Sequence, residues 1–278
     1  MNAIEVRNIS KTFFSEKGMA VKALEGIHLE IKPREFVCLL GSSGCGKSTL
    51  LNLIGGLIPP DQGSIEVLGK PLKKPVRQAE MVFQEYSLLP WRDVLDNVSL
   101  SMELRGVGKK ERRQRAEKLL DTFGLGRFSK SYPHELSGGM RQRAAIARAL
   151  STEPDILYMD EPFGALDAHT RMKMQQELLN FWLGARRTVI FVTHSVEEAV
   201  FLGTRIIMLG GRPGKILGDI SIELDYPRNR WSPEFGSYCS DLLQYMNDTD
   251  APEEPCHGDD SAPPGYKPLS KGCCSTDI

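Results

Sequence analysis

Ile4 and Val6 alternate with Glu5 and Arg7 near the start of the chain, the two-residue period of a strand with one face buried. Residues 3–9, 23–31 and 63–68 all read as half-buried strands separated by turn signals, which predicts a small antiparallel sheet. A different rhythm runs from Glu35 to about Ile220, where apolar runs of strand length, such as FVCLL at 36–40, alternate with amphipathic stretches of helix length. That alternation predicts an α/β domain with a mostly parallel sheet covered on both faces. Between Leu95 and Leu150 the strand signal almost vanishes, and segments around 94–105, 109–123 and 138–150 carry helical periodicity, so an inserted helical subdomain is expected. The dense charges of KKERRQRAEKLL within it read as a solvated helix face. After about Met246 large aliphatics all but disappear from a stretch rich in Pro, Gly, Asp and Glu, which predicts a disordered tail over 246–278.

Composition narrows the function. With 278 residues, 41% hydrophobic and 26% charged, the chain has ample material for a core. Thirty-five Lys and Arg against 36 Asp and Glu leave a net charge of −1, so there is no global positive field and no nucleic-acid partner is expected. The N-terminal residues lack the charged start and apolar core of a secretory signal, and no apolar run approaches the roughly 18 to 20 residues of a spanning helix. Any membrane role is therefore expected to be peripheral. The six cysteines are read as thiols, because Cys38 and Cys45 flank a phosphate-type loop and no signal for export accompanies them.

That loop is GSSGCGKST at 41–49, which fits G-x-x-x-x-G-K-[ST] with an apolar strand leading in and a helix-like run leading out. Gly41, Gly44 and Gly46 let successive N–H groups turn onto an anion at a helix N-terminus, with Ser42, Ser43, Cys45 and Thr49 completing the candidate nucleotide cradle. Lys47 supplies a point charge to the β- and γ-phosphates and the Ser48 hydroxyl a ligand for Mg²⁺. The buried-strand pattern ILYMDEP at 156–162 ends in Asp160, which would complete the metal shell, and Glu161, which would orient or deprotonate the attacking water. A second anion cradle stands at LSGGM, 136–140, where Ser137, Gly138 and Gly139 open a helix. One phosphate loop needs only one nucleotide, so the economical arrangement is a symmetric pair in which each Ser-Gly-Gly touches its partner's γ-phosphate.

Together these segments resemble the ATP-binding subunit of ABC transporters over about residues 3–225. GSSGCGKST resembles the Walker A loop, LSGGM the signature motif, ILYMDE the Walker B segment, and GALD at 164–167 the D-loop. The resemblance implies a P-loop NTPase fold with a RecA-like parallel core, an antiparallel β subdomain and an inserted helical subdomain. It assigns residues 1–245 to a nucleotide-binding domain, with core segments at about 1–84 and 152–225 and the helical subdomain at about 85–151. Gln84 resembles the Q-loop glutamine that reaches Mg²⁺ or water, and His194 the switch histidine on the γ-phosphate. Phe13 resembles the aromatic that stacks on adenine, with Phe14 beside it equally placed by sequence. Asp167 resembles the residue that bridges to the opposing subunit. The pentad ends in Met140 where many members carry Gln, past the two glycines that approach phosphate.

Four longer stretches, SLLPWRDVLDNV at 87–98, DEPFGALDAHTR at 160–171, THSVEEAVFLGTRIIML at 193–209 and GRPGKI at 211–216, resemble the importer branch for nitrate, sulfonates, taurine and bicarbonate. That implies an ATPase using ATP and Mg²⁺, paired with a second ATPase subunit. It also implies transmembrane permease subunits, and indirectly a solute-binding protein, at the cytoplasmic face of a bacterial inner membrane. The stretch from Gln84 to about Arg105, with Leu89, Pro90 and Trp91, is the expected coupling surface. An ABC-type ATPase of a cytosolic assembly machine is the other reading, and the tail departs from the family in either case.

Overall fold

The computed structural model describes residues 2–15, 18–185 and 187–250 of the chain. Strands β1 (Ile4–Phe14) and β2 (Ala20–Ile31) form a hairpin, followed by β3 (Phe36–Leu40) and helix α1 (Lys47–Ile54). Next come β4 (Gln62–Val67), β5 (Lys70–Pro71) and β6 (Ala79–Val82), then helices α2 (Val94–Val98), α3 (Leu100–Leu104), α4 (Lys109–Thr122) and α5 (Gly138–Leu150). The chain continues through β7 (Ile156–Asp160), α6 (Ala168–Ala185), β8 (Thr188–Thr193), α7 (Val196–Leu202), β9 (Arg205–Gly210), β10 (Lys215–Ser221) and α8 (Pro233–Asp250). Among the described residues, one sheet has the antiparallel order β2-β1-β4-β5 and the other the order β10-β9-β3-β8-β7-β6. In the larger sheet only the β9–β10 pair is antiparallel.

Strands β3, β7 and β8 are buried at every position, because both faces of the parallel sheet are covered. Their alternation divides the core in two. Phe36, Cys38, Leu40, Leu157, Met159, Val189 and Phe191 face α5, α6 and α7, whereas Val37, Leu39, Ile156, Tyr158, Ile190 and Val192 face α1 and the antiparallel sheet. Trp182 of α6 is fully buried edge-on to Phe36, and its indole N–H donates to the Arg187 carbonyl at 2.7 Å. Truncating such an aromatic costs about 3–5 kcal/mol.

The two-sheet architecture matches the sequence expectation, with informative differences at the edges. The β1–β2 hairpin runs past residue 9 and begins its return at Ala20 rather than 23, with Phe13 opposite Val21 and Phe14 opposite Ala20. Register shifts between Val6 and Thr12 break the two-residue period, so alternation stops while pairing continues. The helix expected over 94–105 is two short ones that meet at Ser99; Asp93 caps the first by accepting from the Asp96 N–H at 2.7 Å. Strand β10 and helix α8 carry no signal singled out in the sequence. Helix α8 is held by Phe235 and Leu242, which join the core, and by Tyr245, whose hydroxyl donates to the Leu217 carbonyl. The composition change at Met246 therefore falls inside a helix, and residues 251–278, with Cys256, His257, Cys273 and Cys274, lie outside the described residues. No helix among the described residues is long and apolar enough to cross a membrane.

Candidate active site

Strands β3, β8 and β7 are parallel neighbours, so their carboxyl ends lie side by side, with Leu40 opposite Thr193 and Asp160 opposite Val192. Ligands of open α/β sheets bind in the crevice beyond such ends. The loop 41–46 leaves β3 there and turns into α1. Gly44 and Gly46 have φ of +83° and +96°, conformations open to glycine at little cost. Gly41 is required for a different reason: a Cβ there would stand 2.1 Å from the Leu209 carbonyl oxygen. Lys47, 5% exposed, donates to the carbonyls of Gly41 at 2.9 Å and Ser42 at 2.8 Å, so its ammonium lies within the curve of the loop.

Across the crevice the Ser48 hydroxyl donates to Asp160 Oδ1 at 2.9 Å. Burial pushes the Asp160 carboxyl above the ordinary aspartate range; the Ser48 bond opposes this, the neighbouring Glu161 charge adds to it, and Lys47 opposes it. Glu161 adopts φ +43°, and its N–H donates to the Val192 carbonyl at 3.1 Å. This left-handed turn at the end of β7 brings two sequential carboxylates to one crevice, where an extended strand would point them apart. His194 Nδ1 lies 3.2 Å from Glu161 Oε2 on a side chain 59% exposed.

The cleft measures about 570 Å³ and is lined by Ser43, Gly44, Gly46, Lys47, Ser48, Thr49, Gln84 and Glu161, all singled out in the sequence. Val21, Lys22 and Ala23 of β2 and Arg212 of the β9–β10 turn complete the wall; sequence reasoning did not place them there. Phe13 stands opposite Val21 in the hairpin and is 43% exposed, while Phe14 is 74% exposed. Cys45 is only 2% exposed, which keeps its thiol out of reach of alkylating reagents.

Ser137, Gly138, Gly139 and Asp167 are not among the residues lining this cleft. Ser137 caps α5 by accepting from the Met140 N–H at 3.3 Å, and Asp167 accepts from the Thr170 N–H at 3.0 Å, a bond that holds its carboxyl below the ordinary range. Both Ser137 and Asp167 side chains are at the surface.

Sequence reasoning also passed over Glu198. Its buried carboxylate accepts from the Thr193 hydroxyl at 2.6 Å and the Gln175 amide at 3.0 Å, and Thr193 in turn accepts from the Ser195 N–H at 3.0 Å. The residues flanking His194 are thus tied to helices α6 and α7. The signal available was a carboxylate in the first turn after a strand-end His.

Residues 24–164 match the family described as ABC transporter, and the chain belongs to that family as an ATP-binding, ATP-hydrolysing cassette. It is 43% identical to a taurine import ATP-binding protein of Rhizobium johnstonii, covering 89% of this chain and 97% of that one. It is 42% identical to a nitrate import ATP-binding protein of Synechocystis, covering 90% and 97%. A solved ATP-binding cassette, a dimer in a post-hydrolysis state with ADP and Pi, superposes with a TM-score of 0.73 at 34% identity, covering 80% of this chain and all of that one.

Proposed function

We propose that this chain is the ATP-hydrolysing subunit of an importer for small solutes of the nitrate, sulfonate or taurine kind, working as a pair of cassettes beneath transmembrane permease subunits. The observation that carries the reading is the convergence of Lys47, Ser48, Asp160, Glu161 and His194 at adjacent strand ends, in a chain 42–43% identical to import ATP-binding proteins. Those names favour import over a cytosolic assembly machine.

The donor set suits Mg²⁺: the Ser48 hydroxyl and a buried Asp160 carboxylate are hard oxygen ligands, and Gln84 lines the same cleft. Bound there, Mg²⁺ would neutralise charge developing on the transferred phosphoryl group. Lys47 exchanges its loop carbonyls for β- and γ-phosphate oxygens, alongside the amides of residues 41–49. Glu161 accepts the proton of the attacking water, and His194 orients that carboxylate and contacts the γ-phosphate. Phe13, opposite Val21 of the cleft wall, is our assignment for the adenine stack. Ser137, Gly138, Gly139 and Asp167 serve the nucleotide of the second subunit, an assignment supported by the exposure of Ser137 and Asp167 at the surface. The cassette spans residues 1–245, with the helical subdomain at about 85–151 and the coupling surface between Gln84 and Arg105, on the cytoplasmic face of the membrane. Driving a permease from 1:99 to 99:1 requires ATP to favour the closed pair by about 5.5 kcal/mol. Charge-assisted contacts from two subunits to each nucleotide are of the right size to supply it.

The test is purification of tagged Glu161→Gln protein from its native membranes with ATP and Mg²⁺, followed by mass spectrometry. Co-purification of a multi-spanning permease is expected; recovery of soluble assembly proteins alone overturns the import reading. Lys47→Ala should abolish phosphate release, and turnover at the unmodified level overturns the nucleotide assignment.

A further inference from the structure

The turn between β9 and β10 is fastened to the phosphate loop more closely than a connection needs to be. Gly214 donates to the Ala23 carbonyl at 3.0 Å and accepts from the Glu25 N–H at 3.1 Å, and a Cβ on it would stand 2.0 Å from the Cys45 carbonyl oxygen. Lys215 adds an ion pair to Glu25 at 3.0 Å. These contacts lock residues 211–215 between β2 and the back of the loop. The side chain they deliver is Arg212, whose guanidinium donates to the Ser43 carbonyl at 3.4 Å and would lie 3.1 Å from a Cβ on Gly44. It therefore covers the outer tip of the loop, whereas Lys47 lies within the curve.

Arg212 is exposed, and two features set it apart from an ordinary surface charge. It lines the same cleft as Lys47, Ser48 and Glu161. Among the described residues no carboxylate pairs with it, although Lys22 and Lys215 beside it both pair with Glu25. One long bond to a carbonyl leaves most of its five N–H donors unused, in a planar fork that matches phosphate oxygens.

The geometry points to Arg212 as a second cation on the phosphate chain of the bound nucleotide, reaching it over the Ser43–Gly44 tip. The inference rests on the nucleotide reading of the cleft proposed above. Arg212 is then a binding residue supplied by a turn outside the loop.

The experiment is calorimetric titration of ATP with Mg²⁺ into Glu161→Gln protein, expected to bind nucleotide without turning it over, and into the same background carrying Arg212→Ala, Arg212→Lys or Lys47→Ala. Arg212→Ala should weaken ATP binding about tenfold at low salt, the size of a charge-assisted hydrogen bond. The deficit should shrink at high salt, as an exposed charge requires. Arg212→Lys should recover most of the loss, and the nucleotide-free Tm should be the same in all three Arg212 forms. Unchanged affinity in Arg212→Ala overturns the inference, and if Lys47→Ala still loses binding the nucleotide reading survives. A lowered nucleotide-free Tm that Arg212→Lys fails to restore also overturns it, in favour of a strut between turn and loop. If the background protein itself binds no ATP, the inference falls together with the reading beneath it.

Discussion

Glu198 offers the sharpest check on how the switch region is held. Its carboxylate accepts from Thr193 and Gln175, both 2% exposed, with the Arg171 Nε at 3.9 Å. Glu198→Ala leaves two buried donors without their acceptor, and each unsatisfied group costs about 1–3 kcal/mol, so the expected loss is about 4 kcal/mol. That is a large part of the roughly 5–15 kcal/mol by which domains are stable. Glu198→Gln keeps the shape and one acceptor but turns an N–H₂ toward the second donor, so it should lose about half as much, about 2 kcal/mol. Urea unfolding without nucleotide measures both. The same variants should lower phosphate release beyond any loss of folded protein, because Thr193 and Ser195 flank His194 and the His194–Glu161 contact of 3.2 Å depends on where they sit. A Glu198→Ala protein within about 1 kcal/mol of the unmodified chain would refute the reasoning, since that is no more than the least cost of a single orphaned donor.

Glu161→Gln should bind ATP and accumulate a closed pair; light scattering that stays monomeric with ATP and Mg²⁺ counts against the two-fold arrangement. Asp160 has a raised pKa, chiefly from burial, so its ionisation opposes folding as pH rises from the ordinary aspartate range through the raised value. Asp160→Asn should therefore raise the nucleotide-free Tm at neutral pH while abolishing Mg²⁺-dependent turnover, and a lowered Tm contradicts the burial argument. Ser137→Arg should impair hydrolysis while leaving nucleotide binding by the monomer intact, because Ser137 is exposed at the start of α5 and does not line its own cleft; unchanged turnover removes it from the shared site.

The legible parts of this protein are those whose chemistry is local. Gly44 and Gly46 are read from spacing because the loop needs positive φ within six residues of a strand end. Helix α5 begins at Gly138 and ends at Leu150, as its pattern predicts, because Ser137 caps it and good helix formers fill it. The β1–β2 hairpin is only half legible, since its bulges shift the buried face partway along the ladder. Helix α8 escaped because its apolar face has meaning only against β10 and α7, neither of which its own residues specify.

By itself, then, the sequence determined the phosphate loop, the carboxylate pair, the order of the motifs and the alternation that builds a covered parallel sheet, all set by backbone sterics and burial over short spans. Tertiary structure alone decided which distant groups meet. Strand order sets β8 between β3 and β7 and so brings Glu161 to His194, while the packing of Gly214 against Cys45 carries Arg212 to the loop. Such meetings join residues 33 positions apart in the one case and 169 in the other, and no local period along the chain encodes them.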